Sequence, residues 1–203
     1  MGGRSYTAKQ FRTALSIPSK GFRLGDHVRK VRIWESDGEK LAEVFSRIDD
    51  PGLLGFLKKN PIGELNFAPK TGAGGNGSYS KSANRLQIGF ARDKSKYGKE
   101  YERGKTFSVS QLAKTKTGAI SGTMIHEIGH HVWHKASPAV RADAKSTWEK
   151  LGDRTLTKYG RVSAAEHFSE SFAAYFVRPK LLKRESPEAY RMVRRAVKDV
   201  GIR

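Results

Sequence analysis

"TMIHEIGHHVWH", residues 123–134, carries four of the six histidines in this 203-residue chain on about three turns of one expected helix. His126 and His130 are four apart, which places them one turn above each other on the same face. Two imidazoles at that spacing can share one zinc ion. Glu127 points toward the rim of the same site, where a carboxylate can hold a water and take its proton. Ile120, Met124, Ile125, Ile128 and Val132 gather on one arc of this helix, with His126 and His130 on roughly the opposite side. The pattern predicts a core face and a chemical face. A histidine face turned to solvent with nothing bound would have the same periodicity.

The other histidines of the stretch explain less. His134 continues the line but lies about 6 Å, one whole turn, beyond His130. Pairing His130 with His134 would put His131 where the catalytic glutamate should stand, so His131 is expected at the surface or supporting a ligand from behind. The longer H-E-x-x-H-x-x-G-x-x-H pattern is excluded, because Trp133 and Ala136 occupy its Gly and third His positions. Gly129 costs a helix interior about 1 kcal/mol relative to Ala, which points to room for a close neighbour beside the metal.

Catalytic zinc usually keeps three protein ligands and one open position. With no cysteine in the chain, the third must be His, Asp or Glu, and disulfides and thiol nucleophiles are ruled out together. The candidates lie in "YGRVSAAEHFSESFAAYF", residues 159–176. On a helix, Phe168, Phe172, Tyr175 and Phe176 form an apolar arc, and Glu166 and Glu170 sit together across from it. One of these carboxylates could bind metal while the other holds the free ring N–H of a ligating histidine. "SAAE" at 163–166 is also a capping box, with Ser163 as N-cap and Glu166 at the third position. Spacing alone leaves both assignments open.

"HEIGHH" followed by "YGRVSAAEHFSESFA" resembles the catalytic domain of anthrax lethal factor and the related zinc metallopeptidase domains of bacterial toxins and phage-associated proteins. In that family a Tyr-Gly-Arg segment precedes an acidic, aromatic helix, and the ligating glutamate falls seven positions after the tyrosine. The resemblance implies that Glu166 binds zinc, that Glu170 supports a ligand, and that Tyr159 faces the substrate carbonyl. It also implies that "NRLQIGF", after "GSYS", is the edge strand along which an extended substrate would lie. It covers roughly residues 78–177. The basic segments cut by lethal factor do not carry over as substrates, because a chain of net charge +19 repels them.

That charge is spread along the chain, +10 in residues 1–110 and +9 in 111–203. It favours an acidic protein or peptide substrate, nucleic acid or an anionic membrane surface as neighbour, while a generic basic surface gives the same count. No apolar run is long enough to span a bilayer, and "MGGRSYTAKQ" has no signal-peptide core, so the expected location is cytoplasmic or virion-associated. The start imitates a myristoylation signal but has Tyr6 where Ser or Thr is needed.

Residues 1–60 read as a mostly helical accessory segment. "SDGEKLAEVFSRIDDPG" makes one helix closed by Pro51-Gly52, and "LLGFLKKN" a second. Residues 61–203 read as the metallopeptidase domain, with strands at "ELNFAP" and "NRLQIGF" and helices at about 117–135, 138–151, 163–177 and 187–199. Between the strands, "KTGAGGNGSYSKS" is a glycine-rich linker. Its match to G-x-G-x-x-G at Gly72, Gly74 and Gly77 lacks the helix that a dinucleotide site needs. "ARDKSKYGKEYERGK" is expected as a solvated loop, Trp133 and Trp148 as core, and "RMVRRAVKDVGIR" as an amphipathic basic helix with a solvated outer face. The layout is α+β: a zincin-like fold with a small mixed sheet, an H-E-x-x-H helix and a following glutamate helix.

The expected function is a zinc-dependent endopeptidase in which His126, His130 and Glu166 hold Zn²⁺, with Glu170 as alternative ligand, and Glu127 and Tyr159 are catalytic. The alternatives are a basic nucleic-acid-binding or virion structural protein on an inactive scaffold of this kind, and a zinc hydrolase acting on a cell-wall amide.

Overall fold

The structure, a computed structural model, describes residues 4–7, 27–33, 37–48, 50–69, 77–90 and 97–202. Among these residues the chain is α+β, with seven α-helices and a five-stranded mixed sheet. Its contacts divide it into two compact units, Met1–Lys94 and Ser95–Arg203, so a division at residue 60 falls inside the first unit.

The first unit holds β1 (Arg4–Thr7), β2 (Val28–Ile33), α1 (Gly38–Ser46), α2 (Pro51–Lys59), β3 (Ile62–Pro69), β4 (Gly77–Ser80) and β5 (Arg85–Phe90). The strand order is β1-β2-β3-β5-β4. β2 and β5 run parallel to β3, while β1 and β4 lie antiparallel to β2 and β5. The described part of residues 1–60 holds the two expected helices, and β1 and β2 add two strands that the reading of residues 1–60 did not include. β2 hides from sequence reading because its buried side chains are Val28, Val31 and Ile33, so the first step is three residues and alternation is broken. Two of its charged residues meet a carboxylate across the ladder, Lys30 and Arg32 lying 3.7 and 3.8 Å from Glu64.

"NRLQIGF" forms β5 as expected, with Leu86 and Ile88 buried, but β5 is internal and β4, "GSYS", is the edge strand beside it. The sequence "SYSKSANR" turns back on itself, and Asn84 takes φ +43° at the end of the turn. Gly63 in β3 donates its N–H to the Asn84 carbonyl at 2.9 Å, and a Cβ on Gly63 would stand 2.9 Å from that same oxygen. Gly77 of the glycine motif opens β4, while Gly72 and Gly74 lie outside the described residues. Pro51 does not close α1. It opens α2, where Asp50 caps the helix by accepting the Leu53 N–H at 2.8 Å.

The second unit is helical: α3 (Lys116–Lys135), α4 (Pro138–Leu151), α5 (Ala164–Val177), α6 (Pro179–Glu185) and α7 (Pro187–Asp199). Four of these match the expected helices to within a residue or so, and α6 is additional. Each boundary has a local cause. Thr115, Ser137 and Ser163 are N-caps whose hydroxyls accept from Gly118, Val140 and Glu166, and proline opens α4, α6 and α7. Residues 97–105 form neither helix nor strand. No helix among the described residues is long and apolar enough to cross a membrane.

α3 and α5 pack side by side in the core of this unit. The apolar arc Ile120, Met124, Ile125, Ile128 and Val132 is buried, as are Phe168 and Phe172, each worth about 1.5–3 kcal/mol of burial. The Trp133 ring lies tilted against Phe168, with centroids 5.5 Å apart. The helices approach closest at Gly129, where an added Cβ would meet the Ser169 Cα at 3.0 Å and the Phe172 ring at 3.3 Å. The room that Gly129 leaves is thus for the backbone of α5. Glu166 and Glu170 flank Ser169 in sequence, so this close approach carries both carboxylates to the histidine face of α3.

Candidate metal centre

His126 and His130, one turn apart on α3, turn their rings toward each other at 5.0 Å. Glu166 enters from the first turn of α5. Its Oε2 lies 3.1 Å from Nε2 of His126 and 3.2 Å from Nε2 of His130. One donor atom from each of these three residues falls within 4.8 Å of the others, a grouping that could hold a metal ion. Ser163 accepts the Glu166 N–H at 3.1 Å, so the capping box is made by its serine half while the glutamate side chain goes to the histidines.

Glu170, one turn further along α5, stands behind His126. Its Oε1 is 2.9 Å from Nδ1 of that imidazole, and its Oε2 accepts the Val109 N–H at 2.8 Å. A carboxylate at Nδ1 favours the proton there and leaves the Nε2 lone pair facing Glu166. With the proton on Nδ1, the Nε2 lone pair of His126 faces Glu166 Oε2, which is buried without a hydrogen-bond partner, and a cation between them, a proton or a metal ion, relieves that arrangement. Zinc at its ordinary bond lengths in tetrahedral geometry holds ligand atoms about 3.3 Å apart. The separations of 3.1 and 3.2 Å fit that edge, and the donor set of two imidazoles and a carboxylate suits zinc.

The electrostatics carry the same demand for a cation. Burial pushes the His126 pKa down, but the Glu166 and Glu170 carboxylates outweigh it and lift the value to about 10. Burial also pushes Glu166 up, yet the two imidazoles hold it down to about 2. Glu127 is 4 % exposed, and burial, against the pull of His126 and His130, raises its pKa to about 7. A carboxyl so poised exchanges protons near neutrality.

Tyr159 sits in a short 3-10 turn, Tyr159–Arg161, with its ring 5.7 Å from that of His126. Burial and the nearby carboxylates, Glu166 foremost, push its phenol up to about 12, so it stays protonated and able to donate. Its place is fixed from outside the quoted motifs. The Lys158 and Tyr159 N–H groups donate to the Thr106 and Phe107 carbonyls at 2.8 and 2.9 Å, and the Phe107 ring lies 5.6 Å from the Tyr159 ring.

All six residues singled out from the sequence, His126, Glu127, His130, Tyr159, Glu166 and Glu170, are brought together. Of the two places expected for His131, the surface is excluded, since it is 1 % exposed. Segment 106–109 was missed, since beside the Phe107 ring its contributions are two backbone carbonyls and one backbone N–H, which leave no trace in residue types. His167 was missed as well. It is buried beside Gly160, and burial alone pushes its pKa down to about 4, so it is a neutral packing residue. No protein-family model matches the chain, and no curated protein matches it.

Proposed function

We propose that this chain is a zinc-dependent endopeptidase of zincin-like fold. The observation that carries the proposal is the convergence of His126 Nε2, His130 Nε2 and the otherwise unpartnered Glu166 Oε2, with the buried Glu127 carboxyl beside them. The resemblance of "HEIGHH" and "YGRVSAAEHFSESFA" to lethal-factor-like metallopeptidases points the same way.

His126, His130 and Glu166 would hold the ion, and Glu170 would fix the His126 ring and its tautomer through the Val109 backbone. Bound there, zinc supplies Lewis acidity toward water and the scissile carbonyl. Glu127 takes the proton from the attacking water and returns it to the leaving amine, so no net proton is consumed. The Tyr159 phenol, held protonated, donates a hydrogen bond to the oxygen on which charge develops. Phe107, 53 % exposed, and Val162, 66 % exposed, flank Tyr159 in space and sequence and offer apolar contact for substrate side chains.

The test is metal analysis and cleavage on the same samples. Zinc-loaded protein should hydrolyse unfolded casein or a mixed peptide library. Glu127→Gln should keep its zinc and lose cleavage. A wild-type protein that binds zinc stoichiometrically yet cleaves neither casein nor the library, but releases peptide from cell-wall material, would move the assignment to the amide hydrolase.

A further inference from the structure

The second unit carries a feature that the metal centre does not use. A cleft of about 760 Å³ is lined by Tyr175 at the end of α5, by Arg191, Arg194, Arg195, Val197 and Lys198 of α7, and by the turn at Gly201–Ile202. α7 is strongly two-faced: Ala189, Met192, Val193, Ala196 and Val197 are buried, and its arginines and lysine are exposed. Arg195 is committed, since its guanidinium reaches both oxygens of Asp143 on α4 at 2.6 to 3.0 Å and pins the helix in place. Arg191, Arg194 and Lys198 have no carboxylate partner among the described residues. They stand at positions i, i+3 and i+7, one stripe about 10 Å long.

Three uncompensated cations on a rigid stripe, in a chain of net charge +19, call for a repeating anion. The stripe presents its three cations in a row, so a strand laid along it can set backbone phosphates against each of them. Two further features favour a nucleic-acid strand over a lipid surface. The cations line a concavity, into which a strand can enter and a bilayer plane cannot. Tyr175 also lines it, backed by the Tyr190 ring at 5.3 Å, and supplies an aromatic wall for a base. A single strand offers that wall an unpaired base, whereas a duplex keeps its bases inside.

We infer that the α5–α7 cleft binds single-stranded nucleic acid, with phosphates along Arg191, Arg194 and Lys198 and a base against Tyr175. This assignment is independent of the peptidase activity, because none of these residues belongs to the metal centre.

The experiment uses the full chain loaded with zinc, with binding of a fluorescein-labelled single-stranded oligonucleotide followed by anisotropy across a salt series. The variant Arg191→Gln/Arg194→Gln/Lys198→Gln is compared with Lys99→Gln/Lys114→Gln/Lys150→Gln, which removes the same charge from exposed positions outside the cleft. The cleft variant should bind at least about tenfold more weakly and lose about 2 from the slope of log K against log salt, the release expected for three phosphate contacts to a single strand. The comparison variant should stay within about twofold of wild type. All three chains should melt alike, since the substituted side chains are exposed. Equal weakening in both variants would assign binding to diffuse charge and overturn the inference. Tighter binding of the duplex form of the same oligonucleotide would overturn the single-strand assignment. Loss of binding to phosphatidylserine vesicles in the cleft variant, with oligonucleotide binding unchanged, would hand the cleft to lipid.

Discussion

Glu170 holds His126 from behind: one carboxylate oxygen lies 2.9 Å from the imidazole Nδ1 while the other accepts the Val109 N–H at 2.8 Å. The imidazole is thereby oriented by a backbone amide through a single carboxylate, and Nε2 is left pointing at Glu166.

This relationship separates the two glutamates. Glu166→Gln replaces a charged donor by a neutral amide at the site itself, and zinc binding should fall beyond detection in a chelator-competition titration. Glu170→Gln should keep zinc but bind it about 10–100-fold more weakly, as expected for a residue that positions a ligand. Zinc lost only from the Glu170 variant would reverse the two roles.

Proton linkage follows from the raised pKa of His126. Near neutral pH the metal-free imidazole is protonated, since its pKa is about 10, so zinc must displace that proton. Zinc affinity should rise with pH, by about a factor of ten per unit where one proton is released. Calorimetry in buffers of different ionisation enthalpy reads the released proton directly, and a release of zero would contradict the pairing.

Stability of the metal-free chain should have a matching window. His126 is raised from its ordinary 6.5, so its contribution is complete below that value and fades as pH climbs through about 10. Glu166 is depressed from 4.5, so its contribution is present above that value and fades as pH falls toward about 2. Their joint contribution is complete between about pH 4.5 and 6.5, so the difference in melting temperature between the metal-free protein and its Glu166→Gln variant should be greatest there. Zinc at 100 times its dissociation constant should add about 2.7 kcal/mol.

Catalysis should divide between Glu127 and Tyr159. Glu127→Gln should lower kcat by about 10²–10⁴ with zinc content unchanged, the range for losing a positioned general base. Tyr159→Phe removes only a hydrogen bond made to developing charge, so kcat should drop by about 10²–10³ with KM little altered. A Tyr159→Phe variant with wild-type kcat and a raised KM would make the phenol a substrate anchor instead.

Gly129→Ala tests the helix contact. The new methyl would stand 3.0 Å from the Ser169 Cα, a backbone atom with nowhere to go, so α3 and α5 must separate. Urea unfolding should report a loss of about 1–3 kcal/mol, larger than the helix-propensity gain of about 1, and zinc affinity should weaken in parallel. Gly55→Ala in α2 meets nothing within 4 Å and should instead be neutral or stabilising.

Sequence determined what depends on neighbours along the chain. The one-turn spacing of His126 and His130, the placement of Glu127 beside them, the Ser163 cap, and the alternation of Leu86 and Ile88 are local, and each was legible. Tertiary structure decided what depends on partners distant along the chain. β2 is a strand because β1 and β3 lie beside it, not because its own pattern alternates. Glu166 and Glu170 share one helix face, and residue types cannot rank them. The contact of Gly129 with Ser169 and the amide of Val109 set which carboxylate meets Nε2 and which meets Nδ1. Periodicity specifies the face a side chain occupies; only packing specifies which atom it meets there.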